Sequence, residues 1–197
     1  MMTPVDPDSG VPRRGPMISA KAYATFACIA AAGCLLDLLT KRWVFQWRGL
    51  PGQQPVWWIW DGILGIETSL NTGALFGIGQ NQVRWFAVLS FLALGGILYW
   101  FVRARAGQDR FLTVILGCVT GGILGNLYDR LGLWTLGVEG LPRIYAVRDW
   151  IRVSYGDLVW PNFNLADSLL VCGALLLVWH AFRSPPSDAS EPVAETR

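Results

Sequence analysis

"FNLADSLLVCGALLLVWHAF", residues 163–182, is almost wholly apolar and long enough to cross a bilayer, yet Asp167 sits inside its leading edge. A carboxylate in lipid costs about 2.5 to 3.5 kcal/mol at mid-helix and less near an end. A chain that keeps one there has a use for it, and the rest of the sequence indicates what that use is.

Working outward, three more runs match the Leu165–Phe182 part of this stretch: Ala22–Leu39, Trp85–Val102 and Phe111–Tyr128, each 18 residues long. As helices they span roughly 27 Å, enough to cross the hydrocarbon. The whole chain of 197 residues is 53% hydrophobic and only 15% charged, which excludes an ordinary soluble domain. Many of the 11 Trp residues, among them Trp43, Trp47, Trp85, Trp134, Trp150 and Trp160, fall at the edges of these runs or between them, where a membrane–water interface would hold them.

Charge sets the expected orientation. Lys and Arg divide equally, eight on each side, but the link Arg103–Arg110 and the leading tail carry theirs in much shorter segments. Dense basic segments face the cytoplasm, so both termini are expected inside and the loops 40–84 and 129–164 outside. Residues 1–20 and 184–197, rich in proline and charge, are expected to be disordered cytoplasmic tails flanking a membrane domain of residues 21–183. No basic patch interleaved with aromatics suggests nucleic acid. The four cysteines, Cys28, Cys34, Cys118 and Cys172, all lie within predicted spans and form no C-x-x-C pair; they read as small packing residues.

With that orientation the acids converge. The first span ends near Asp37, the third near Asn126 and Asp129, and the fourth begins with Asn164 and Asp167; Asp149 lies in the loop just before it. All reach the outer face. Any one of them could be a helix cap, and Asp167 is well placed for that role. Four together, with Lys41, Asn71 and Arg130 nearby in the fold, suggest a site. Two carboxylates held close share a proton, so one can activate water while the other donates. The single histidine, His180, is at the opposite end, which disfavours a Ser-His-Asp triad or a histidine-bound zinc; Ser154 and Ser168 lack a clear base. No metal or cofactor is expected. "GGILG", residues 121–125, reads as a close helix contact rather than a phosphate loop. Residues 62–78 and 145–153 look like short strands lying on the membrane surface. Nothing in the spacing chooses Asp149 over Asp129 as a partner for Asp167.

Five motifs in order make that choice by resemblance: "LDLLTK" with Asp37 and Lys41; "NTGALFG" with Asn71, Gly73, Ala74 and Phe76; "GGILGNLYDR" with Asn126, Asp129 and Arg130; "VRDWI" with Asp149; and "PNFNLADS" with Asn164, Ala166 and Asp167. Over residues 22–182 the chain resembles signal peptidase II, the bacterial aspartic endopeptidases of the inner membrane. The resemblance implies an all-α membrane protein of four transmembrane helices with a small β-like periplasmic cradle. It implies a catalytic pair Asp149 and Asp167, with Asn71, Gly73, Asn126, Arg130, Asn164 and Ala166 lining or bracing the site and Asp37, Lys41 and Asp129 in support. The implied substrate is a diacylglyceryl-modified prolipoprotein cut before its lipidated cysteine, and the implied surroundings are membrane lipids; a monomer is expected. Two departures stand out: 18 residues separate Arg130 from Asp149, a longer link than is usual, and Arg148 precedes Asp149 where the family has an apolar residue. Strand alternation should turn Arg148 away from the site. The alternative from another class is a small ion-coupled transporter using the acids as a relay.

Overall fold

The structure, a computed structural model, describes residues 17–73, 79–135 and 143–183. The expected disordered tails, Ala74 and Phe76 fall largely or wholly outside these residues. In chain order the elements are α1 (Ala20–Arg48), β1 (Trp57–Trp60), β2 (Leu64–Asn71), α2 (Val83–Val102), α3 (Arg110–Arg130), β3 (Val147–Tyr155), β4 (Leu158–Phe163) and α4 (Leu165–Arg183).

All four helices are long and apolar enough to cross a membrane, as the sequence predicts. The starts of α1 and α3 are capped locally. Ser19 accepts the N–H of Ala22, and Asp109 accepts those of Phe111 and Leu112 at 2.7 and 3.0 Å, satisfying donors that the first turn leaves free. Helix α1 runs past its predicted end at Leu39 to Arg48. The polar residues that seemed to terminate it are satisfied in place: Lys41 pairs with Asp37 one turn back at 2.7 Å, and the Thr40 hydroxyl donates to the Leu36 carbonyl at 2.8 Å.

Helix α3 is the centre of the bundle, packed against α1, α2 and α4. Glycines bring the backbones together. A Cβ at Gly121 would lie 2.8 Å from the Ala30 carbonyl oxygen of α1, one at Gly122 would lie 2.7 Å from the Ala166 carbonyl oxygen of α4, and one at Gly125 would collide with the Asp37 carboxylate. "GGILG" is therefore a packing motif, and it makes room for a buried acid. Helix α2 buries only Val83, Ala87 and Phe101 and exposes Leu89, Phe91 and Leu92, as a lipid-facing helix would. Cys28 and Cys172 are likewise exposed, with Cys34 and Cys118 half-buried, so only the latter two act as packing residues.

The all-α expectation requires correction. The chain between helices forms a four-stranded antiparallel sheet in the order β1-β2-β3-β4. Strands β2 and β3 overlap the two segments predicted as strands, 62–78 and 145–153, of which residues 74–78 lie outside the described residues. The aromatic run Trp57–Trp60 adds an exposed edge strand, and β4 leads directly into α4. The two ends of the bundle differ in chemistry: Phe26, Phe101, Ala106 and Leu116 form an apolar cluster at one end, and the sheet covers a polar network at the other.

Candidate active site

The polar network starts on α1. Asp37, Lys41 and Asp129 are fully buried, and Lys41 Nζ lies 2.7 Å from Asp37 and 3.2 Å from Asp129. Asp37 also accepts the N–H of Ala166 at 2.9 Å, tying the start of α4 to α1. The ammonium of Lys41 donates to Asn126 Oδ1 at 2.9 Å. Because Lys41 can only donate, it fixes which end of the Asn126 amide is oxygen. Asn126 Nδ2 then donates to Asp167 Oδ1 at 2.8 Å.

The same logic continues into Asn164, which precedes α4. Its Nδ2 donates to Asn126 Oδ1 at 3.2 Å and to Asp149 Oδ1 at 2.6 Å, leaving its Oδ1 to accept the N–H of Asp167 at 2.9 Å. Asp167 in turn accepts the N–H of Asn164 at 3.2 Å. This reciprocal pair is a capping box, so Asp167 does cap its helix while also facing the cavity.

Asp149 arrives from β3. It is 2% exposed and lies opposite Ser69 of β2. Burial, reinforced by the charge of Asp167, raises its carboxyl to about 7 against the opposing pull of hydrogen bonds from Asn164 and Asn71 and the charge of Lys41. Asn71 completes its own turn by accepting the Gly73 N–H at 2.9 Å.

Asp149 and Asn71 from the sheet, with Asp167, Asn126 and Arg130 from the helices, line one cavity of about 700 Å³. The guanidinium of Arg130 lies 5.6 Å from the Phe86 ring and reaches the Gly73 carbonyl at 3.5 Å. Asp37, Lys41, Asp129, Asn164 and Ala166 stand behind this wall. The geometry therefore separates the two acids that spacing left equivalent: Asp149 faces the cavity, and Asp129 is enclosed among Lys41 and Arg148.

Some cavity residues had no sequence signal. Glu67, Arg152 and Asn162, one from each of β2, β3 and β4, meet there, with Arg152 Nη1 and Asn162 Nδ2 donating to Glu67 Oε2 at 2.8 and 3.0 Å. Strict alternation from Asp149 would turn Arg152 to the other face. The pairing of β3 is irregular on both sides of this point, breaking between Ile66 and Ser69 against β2 and between Ile151 and Val153 against β4, and such irregularities re-aim side chains.

Helices fit to span a membrane, joined at one end by a sheet that covers a carboxylate-bearing cavity, define a small polytopic membrane protein with an enzyme-like site. A family model described as Signal peptidase (SPase) II matches residues 29–183, and the chain belongs to that family of proteases. It is 47% identical over 187 residues to the lipoprotein signal peptidase of Rhodopirellula baltica, covering 90% of this chain and 83% of that one. It is 38% identical over 143 residues to the lipoprotein signal peptidase of Shouchella clausii, covering 73% and 83%. Two solved structures of bacterial membrane enzymes share the fold, one with TM-score 0.69 at 24% identity over 86% of this chain and 94% of the other, and one with TM-score 0.65 at 25% identity over 82% and 94%. These matches to peptidases give no support to the ion-coupled transporter.

Proposed function

We propose that the chain is an aspartic endopeptidase that removes signal peptides from diacylglyceryl-modified prolipoproteins, cutting before the lipidated cysteine, with Asp149 and Asp167 as its catalytic pair. The observation that carries this reading is the placement of these two acids, alone among the four of the network, on one cavity wall in a protein of the signal peptidase II family.

Charge balance supports a singly protonated pair. Asp37, Asp129, Asp149 and Asp167 face Lys41, Arg130 and Arg148 across the network, so one added proton brings the buried group to neutrality. That proton resides on Asp149, whose carboxyl stays protonated to about pH 7. Asp167 takes a proton from water as the water oxygen attacks the scissile carbonyl, while Asp149 donates to the carbonyl oxygen. The tetrahedral intermediate collapses as Asp167 returns its proton to the departing amine and the hydroxyl gives one back to Asp149. Asn126 and Asn164 hold the two carboxylates through this cycle without competing for the proton.

A second cavity of about 850 Å³, lined by Val83, Trp85, Ala87, Val88 and Phe91 and sharing Arg130 with the first, opens beside the lipid-facing helix α2 and suits the acyl chains of the substrate. The basic link Arg103–Arg110 lies at the end of the bundle opposite the acids, which supports cytoplasmic termini and a site at the outer face of the bacterial inner membrane. There the sheet would act as a periplasmic cradle and water would reach the bond. The protein acts as a monomer among membrane lipids, with no cofactor.

The test is turnover of a lipidated precursor by purified protein in lipid. Asp149→Asn and Asp167→Asn should each abolish cleavage while the protein accumulates and melts as a folded species. Cleavage surviving in both would sink the assignment.

A further inference from the structure

Arg148, the residue that departs from the family motif, is buried and bonded outside the cavity. We infer that Arg148 is a positioning residue for Asp149, setting the separation of the two catalytic carboxylates through its tie to Asp129; this rests on the catalytic pair proposed above.

Neighbouring strand residues project to opposite faces, so Arg148 points away from the cavity that Asp149 lines. On that far side its Nε and Nη2 both donate to Asp129 Oδ1, at 3.1 and 2.7 Å, and its backbone N–H donates to Asp129 Oδ2 at 3.0 Å. Lys41 takes the remaining position on Oδ2 at 3.2 Å. A carboxylate offers about four acceptor sites, and all four are filled. The guanidinium also lies 4.9 Å from the Trp134 ring centre, and Trp134 Nε1 donates to the Ala146 carbonyl at 3.2 Å. The back of β3 is thus pinned at residues 146 and 148, immediately before Asp149.

The pin matters because of what Asp129 is attached to. It lies one turn beyond Asn126 on α3, and Asn126 holds Asp167. A continuous path of short bonds therefore runs from Asp149 through Arg148, Asp129 and Lys41 to Asn126 and Asp167, joining the strand that carries one acid to the helix that orients the other. Lysine cannot replace arginine in this path, since its single nitrogen cannot give two parallel bonds to one oxygen.

The experiment measures kcat and KM for the full-length protein on a lipidated precursor, alongside thermal melting. Arg148→Met should lower kcat at least tenfold at unchanged KM, and Arg148→Lys should recover less than half of that loss. Since Arg148→Met leaves a buried acid short of a partner and risks unfolding, Arg148→Met with Asp129→Asn provides a charge-balanced variant. It should melt near the parent yet keep the tenfold deficit in kcat. Parental kcat in that double variant, or full recovery with lysine, overturns the inference. The catalytic pair is judged separately: with Asp149→Asn and Asp167→Asn inactive, such a result removes only the positioning role, whereas turnover in both removes the pair itself.

Discussion

The Asn164 side-chain amide donates to Asp149 Oδ1 at 2.6 Å, and its carbonyl oxygen accepts the N–H of Asp167 at 2.9 Å. One residue thus holds both acids, one through its side chain and the other through its backbone, and the polarity of its amide is dictated by Lys41 through Asn126. Asn164→Ala should lower kcat by about 10²-fold, the scale of a misplaced catalytic group. Its effect on melting should be smaller, about 1 kcal/mol for the lost helix cap. Equal losses in both measurements would mean that Asn164 serves the fold alone.

The buried ion cluster makes a different prediction. Lys41 lies within 3.2 Å of both Asp37 and Asp129 with none of the three exposed. Lys41→Met leaves Asp37 without a cation and Asp129 with Arg148 alone, and breaking a buried pair costs about 3 to 5 kcal/mol. The variant should be depleted from membranes and melt well below the parent. A parental melt would show that Lys41 contributes nothing net to stability.

How much of this could be read from the chain differs by element. The four spans were legible because a bilayer demands length and apolarity, both local properties. The end of α1 was not, because besides Asp37 one turn back, the partners that hold Lys41 inside the protein are Asn126 and Asp129, far away in sequence. The site was legible as a gathering of acids at one face, but Asp129 and Asp149 are both buried and differ in what they face: Lys41 and Arg148 enclose Asp129, whereas Asp149 lines the cavity. Arg152 was hidden because the pairing of β3 with both neighbours is irregular beside it, which plain alternation does not anticipate. Trp57, Trp58 and Trp60 lie on an edge strand, where the exposed rings of Trp57 and Trp60 suit a membrane–water interface.

Packing at Gly125 gives a third expectation. A methyl group there would meet the Asp37 carboxylate, which is held between Lys41 and the N–H of Ala166. Gly125→Ala should cost about 1 to 3 kcal/mol, as overpacking does, and should loosen α4 from α1. Gly95→Ala is the control, since a Cβ at Gly95 meets nothing within 4 Å. Equal melting of the two variants would refute the argument.

Asp149 makes the last prediction, and the sign follows from its raised carboxyl. The group titrates at about 7 in the fold against 3.8 ordinarily. Below pH 3.8 both folded and unfolded chains hold the proton, so Asp149 contributes nothing. Between there and pH 7 the folded chain holds a proton that the unfolded chain has released, and stability falls as pH rises. Above pH 7 the full penalty applies. Asp149→Asn removes it, so the variant should gain stability over the parent at pH 8, by on the order of 1 to 3 kcal/mol more than it gains at pH 5. Turnover by the parent should fall through the same region, because the protonated form of Asp149 is the one that donates to the carbonyl oxygen. Melting curves of parent and variant across pH 5 to 8, with precursor cleavage by the parent over the same range, test both halves. A stability difference independent of pH, or cleavage still rising above pH 8, would place the shared proton elsewhere in the network.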